Sequence, residues 1–211
     1  MRSIISTFLF LIFACSNSHA QLSSDKIFES FKQGERTNCS SIAFIKASLN
    51  IYGLDNLFIT EKLNDSLYQI TLKNNATFKL KTDELNKAEF SAGFVFIKTN
   101  EDSKKITEYA VLTYAVMAKY KQILDKEKTF DKALEDLEDG EIHTPTIYKY
   151  LGFQKGKHVE ELKRLSGSEF CGVVAWSNAH AVFVCEDFMD YYGNKKSLWD
   201  KYPGRFRILK S

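Results

Sequence analysis

A cysteine at the head of a helix, a histidine at the head of a strand and a glutamine just upstream of the cysteine are the residues with chemistry to offer. The stretch from Lys32 to Gly53, KQGERTNCSSIAFIKASLNIYG, reads as a loop ending at Asn38 and a helix beginning at Cys39. Ile42, Ile45, Leu49 and Tyr52 recur at helical spacing, and Gly53 is a natural stop. A thiol in a first helical turn lies at the positive end of the helix dipole, which favours the thiolate. Such a nucleophile needs a base. Beyond residue 20 the histidines are His143, His158 and His180. The first two lie in polar, loop-like surroundings, whereas His180 opens the apolar run HAVFV directly after a tight turn. A hydrogen-bonded edge histidine is the bland alternative there. Hairpin geometry supplies more: with a turn centred on Asp187, Asn194 stands opposite His180, each seven positions away. An amide in that place can orient an imidazole, the third role in a Cys-His-Asn constellation, with Asp190 as the charged competitor.

The elements that must position these groups follow from periodicity. Residues 24–32 form a short amphipathic lead-in to the Cys39 helix, and SLYQITLKNNATFKL alternates as a hairpin, after a mixed stretch over 54–65. Helices are expected over 82–92, 103–126 and 128–139, with shorter ones over 145–150 and 159–165, and a short apolar segment over 94–97. The acidic cluster Asp136, Glu138, Asp139 and Glu141 lacks the alternating oxygen spacing of a calcium loop and reads as a solvated helix end. Strands are expected over 171–176, 180–185, 188–192 and 204–209, with a polar loop between the last two. Helices early and antiparallel strands late make an α+β chain. A zinc site of Cys171, His180 and Cys185 fails, because His180 and Cys185 have opposite parity along one strand.

The 211 residues carry Lys+Arg 29 against Asp+Glu 27, so no basic face invites nucleic acid. Residues 1–20 have the form of a secretory signal: a positive start at Arg2, an apolar run from Ile4 to Ala14, and Ser18-His19-Ala20 as a cleavage site. The apolar run is too short for a membrane span, so the expectation is an exported protein, periplasmic or extracellular, with residues 21–211 as a single domain. The alternative is a lipoprotein anchored through Cys15, since Ile12-Phe13-Ala14-Cys15 resembles a lipid-attachment motif. Cys39, Cys171 and Cys185 remain in the mature chain. Cys171 and Cys185 flank a hairpin and either bridge it or lie buried as small apolar groups; in both cases Cys39 is left over.

Gln33 precedes Cys39 by six residues and is followed by Gly34; His180-Ala-Val lies near the other end, and Asn194 stands ten residues before GRFRI, with Trp199 between. In these features the chain resembles the papain-like cysteine peptidases, papain and calpain type, and is nearest in flavour to bacterial calpain-like proteins. The resemblance covers about twenty residues at the start and thirty at the end. It implies a helical part carrying the cysteine packed against a C-terminal antiparallel sheet carrying the histidine. It also implies catalysis by Cys39, His180 and Asn194, an oxyanion hole made by the Gln33 side chain and the Cys39 backbone N–H, and Trp199 as a cover for the site. Three positions depart from the family pattern: Asn38 before the cysteine, Ser40 where a tryptophan is usual, and Lys195-Lys196 in place of Ser-Trp after the asparagine.

The activity implied is hydrolysis of peptide bonds through a thioacyl intermediate, with no metal and no cofactor, on a peptide or protein substrate. Acyl transfer or amidase chemistry would use the same triad, and a catalytically inactive papain-fold binding module is the reading outside enzymes.

Overall fold

The structure, a computed structural model, describes residues 22–138, 144–158, 170–198 and 202–210. The first twenty residues, His143, Trp199 and the helix expected over 159–165 lie outside these.

After α1 (Ser24–Phe28) and β1 (Phe31–Lys32) comes α2 (Cys39–Tyr52), the helix on which the molecule is built. Its sequence is apolar or small on nearly every face, and twelve of its 14 residues are buried. Such a helix is covered all round instead of along one stripe. It ends where Gly53 takes φ 79° and donates its N–H to the Leu49 carbonyl at 2.8 Å.

β2 (Phe58–Asn64), β3 (Leu67–Leu72) and β4 (Thr77–Lys81) form an antiparallel sheet in that order. The expected hairpin is therefore three-stranded. In β2 only Phe58 is buried, so this edge strand leaves no apolar alternation for the sequence to display. α3 (Thr82–Ala92) starts with Glu84 accepting the Lys81 N–H at 2.9 Å and ends at left-handed Gly93. β5 (Val95–Phe96) pairs with β1. In α4 (Glu101–Leu124) the Asn100 side chain accepts the Ser103 N–H at 2.8 Å as an N-cap. α5 (Phe130–Glu138) packs on α4, and a 3₁₀ helix runs over Thr144–Leu151. Asp136 in the acidic cluster is held by Lys121 at 2.6 Å and Lys132 at 2.9 Å, while Asp139 and Glu141 lie outside the described residues.

The C-terminal sheet has six antiparallel strands: β6 (Lys157–His158), β7 (Val173–Trp176), β8 (Ala181–Cys185), β9 (Phe188–Tyr191), β10 (Asn194–Ser197) and β11 (Gly204–Arg207). Their order is β10-β9-β8-β7-β11-β6. Alternation splits the two faces. Val174, Ala181, Phe183 and Phe206 join the main core around α2, whereas Val173, Ala175, Val182, Val184 and Met189 form a second cluster with Phe170 and Tyr202. The chain is α+β. Cys171 and Cys185 are joined in a disulfide. No helix among the described residues is long and apolar enough to cross a membrane.

Candidate active site

The loop before α2 is held by its neighbours on three sides. A Cβ on Gly34 would collide with the Gly93 carbonyl oxygen, so only glycine lets the two backbones approach this closely. Asn38 is buried and donates its side-chain N–H to the Ala92 carbonyl at 2.8 Å. The Arg36 guanidinium meets the Glu138 carboxylate at 3.1 Å, and the Thr37 hydroxyl donates to the Glu138 carbonyl. These contacts fix the loop that leads into Cys39, the half-buried first residue of α2. Ser40, standing where the resemblance leads one to expect a bulky aromatic, is buried and shares a hydrogen bond of 2.7 Å with the Thr144 hydroxyl. The 3₁₀ helix occupies that flank instead.

His180 closes the connection between β7 and β8, where its carbonyl accepts the Ser177 N–H at 2.9 Å. The imidazole stacks on Tyr192, centroids 4.5 Å apart with 14° between planes, and meets Tyr191 edge-on at 5.9 Å. Burial pushes the His180 pKa below the ordinary imidazole value, and the Asp190 carboxylate opposes that shift. The Tyr192 phenol is pushed up by burial, by Tyr191 and by charge on the Cys39 sulfur. Tyr202 is pushed up by burial, by Tyr191 and Tyr192, and again by Cys39. The His180 imidazole therefore lies on the Tyr192 ring, and the Cys39 sulfur bears electrostatically on the Tyr192 phenol. No hydrogen bond joins the thiol to the imidazole among the described residues, and such bonds are often long before substrate binds.

The expected partner of His180 is corrected by the register. The β8–β9 turn has two residues, Glu186 at φ 56° and Asp187, so Val184 faces Met189 and Cys185 faces Phe188. This is one residue out of step with a turn centred on Asp187, and a slip of one changes which face a side chain takes. A second two-residue turn follows at once, with Tyr192 at φ 52° and Gly193 at φ 81°. Both central residues are left-handed, the geometry favoured in tight hairpins. A tyrosine held there carries a strain of about 1–2 kcal/mol. This turn sends Asn194 onto β10, an unexpected outer strand, where it pairs with Tyr191 and its exposed side chain donates to the Tyr191 carbonyl at 3.3 Å. Asn194 does not reach His180.

Asp190 has other bonds. One carboxylate oxygen accepts the Gly193 N–H at 2.8 Å, and the other accepts Lys46 at 2.6 Å. Gln33 donates to the Arg36 carbonyl, which leaves its amide a second N–H. Lys195 reaches Asp25 at 2.6 Å across Phe188, and His158 lies on the edge strand β6. Sequence reasoning passed over Lys46, a lysine in a helix read only for its apolar face. It also passed over Tyr191-Tyr192-Gly193, because a tyrosine is a weak signal for a left-handed turn. Gly204 approaches Trp176 so closely that an added Cβ would enter the indole, which packs on Phe206 at 5.8 Å.

A surface cavity of about 630 Å³ lies beside the loop, between Arg36, Phe90, Leu134 and Glu138. A larger one of about 770 Å³ lies between Tyr68, Leu85, Phe94, Phe96 and Tyr109. Neither is lined by Cys39 or His180. The one group of potential metal ligands among the described residues is Cys171, Cys185 and Glu186, and there the two sulfurs are bonded to each other. No family model, no curated protein and no solved structure matches this chain.

Proposed function

We propose that this chain is an exported cysteine peptidase of papain-like fold, with Cys39 as nucleophile and His180 as acid and base. What supports this reading is that groups from opposite ends of the chain both bear on Tyr192. The imidazole at the head of β8 stacks on its ring, and the sulfur at the head of the buried α2 acts electrostatically on its phenol. The helix N-terminus favours negative charge on sulfur, and the first turn holds no carboxylate to oppose it.

In the forward reaction neutral His180 takes the Cys39 proton as the sulfur attacks the peptide carbonyl carbon, and the imidazolium so formed protonates the departing amine. Neutral His180 then takes a proton from water as that water attacks the thioester, releasing the acid, and returns that proton to the departing sulfur. The Cys39 backbone N–H and the free N–H of Gln33 are the donors for the oxyanion, a role in which one donor contributes about 3–4 kcal/mol. Asn194 has no part in this account; the carboxylate that acts on His180 is Asp190.

The test is turnover of a denatured protein by the mature chain, followed by mass spectrometry of the fragments. Cleavage lost in both Cys39→Ala and His180→Ala supports the reading. A wild-type chain that cleaves nothing, and forms no Cys39 adduct with a peptide aldehyde or chloromethyl ketone, overturns it in favour of a binding module.

A further inference from the structure

A buried ion pair lies two turns below the thiol. Lys46 is seven residues beyond Cys39 and therefore on the same side of α2. Its ammonium is wholly buried, lies 4.7 Å from the Phe31 ring centre, and donates to Asp190 at 2.6 Å. The other Asp190 oxygen accepts the N–H of Gly193. Gly193 completes the turn that presents Tyr192 to the face of His180. A Cβ on Gly193 would also press on Lys32 and Ile97, so the turn is seated on β1 at the root of the Gln33 loop.

We propose that Lys46 and Asp190 act together as positioning residues, fastening the helix that carries Cys39 to the turn that stacks His180 and taking the place of an orienting amide. The inference rests on the Cys39–His180 reading above. Two features support it beyond proximity. First, buried ion pairs are often no better for stability than apolar residues of the same size, so such a pair beneath a nucleophile needs a role other than packing. Second, the carboxylate has a bond to each half of the site, and its charge favours protonated His180 against the effect of burial. Around the imidazole stand Tyr191 and Tyr192, with the Asp190 carboxylate of β9 acting on it electrostatically, while Cys39 of α2 acts on Tyr192. Among these Asp190 is the one fixed negative charge.

The test uses the double variant Lys46→Met/Asp190→Asn. It keeps an oxygen for the Gly193 N–H and leaves no unpaired charge in the core, so folding is preserved. Two readouts are taken: the titration of the His180 ring by NMR, assigned with His180→Ala, and the rate of Cys39 alkylation by iodoacetamide at pH 7. The expected result is a folded protein whose His180 titrates at lower pH than wild type and whose alkylation is slower by about 100-fold, the scale of a misplaced catalytic group. A folded double variant with wild-type titration and wild-type alkylation overturns the proposal. If instead wild-type Cys39 reacts as an ordinary thiol, the peptidase reading fails, while the His180 titration still decides whether the pair governs the imidazole. A variant that does not fold at all also counts against it, because the pair would then be a structural necessity and not a positioning device.

Discussion

Replacing Lys46 by Met tests the energetics of the site's foundation. The two charges stand 2.6 Å apart with side-chain exposures of 0% and 5%. At an effective dielectric of about 20 their attraction is about 6 kcal/mol. Taking each ion out of water costs several kcal/mol, so the intact pair comes out near balance. Lys46→Met removes the attraction and leaves the Asp190 carboxylate buried with the Gly193 N–H as its remaining described donor. The expected loss is about 3–5 kcal/mol, read from urea denaturation at pH 7 with an unchanged slope. Adding Asp190→Asn removes the stranded charge and keeps the Gly193 bond, so the double variant regains most of the loss and lies within about 1–2 kcal/mol of wild type. The cycle therefore shows a coupling of several kcal/mol. A single variant less than about 1 kcal/mol down, or a double variant as unstable as the sum of the singles, would refute the reasoning.

Two further perturbations follow from other contacts. Gly204→Ala drives a methyl into the indole of Trp176 and forces the ring off Phe206, so it destabilises by about 1–3 kcal/mol in a denaturant melt; an unchanged midpoint contradicts that close approach. Burial holds the folded His180 pKa below the unfolded value of about 6.5. The unfolded chain thus binds more protons in that window, and the associated stability is full above pH 6.5 and lost as pH falls through the folded value. Wild type should then lose more stability between pH 7 and pH 5 than His180→Gln does; equal losses would show that the imidazole is not held neutral by burial.

The elements were legible where burial writes a period into the sequence. The apolar residues of α2, the alternation of β3 and β4, and the span of α3 all announce themselves, and α2 lies within the expected span. β2 and β10 were not legible, because each is an exposed edge strand with little or nothing buried. Nothing in the alternation of FITEKLN or NKKS separates an outer strand from a loop. The two ends of the proposed site stand out in the sequence for a related reason. A cysteine at the start of an apolar helix and a histidine at the start of an apolar strand stand out in one dimension. The third partner depends on where turns fall, and a single residue decided it: Glu186 shares the turn with Asp187, which moves Asn194 away from His180. The link between Lys46 and Asp190 spans 144 positions and joins a helix to a strand, so no local spacing could disclose it.

The central claim is that Cys39 is a nucleophile activated by His180, and the pH dependence of its alkylation tests that most directly. Iodoacetamide is supplied in excess to residues 21–211, and Cys39 modification is followed by mass between pH 5.5 and pH 9.5; the disulfide leaves Cys171 and Cys185 silent. The account predicts a wild-type rate that is already high at pH 7 and nearly level up to pH 9. It also predicts a His180→Ala rate lower at pH 7 by about 100-fold, within the usual range for loss of a proton-transfer partner. A wild-type rate that climbs tenfold with each pH unit from 6 to 8, and coincides with that of His180→Ala, would contradict it.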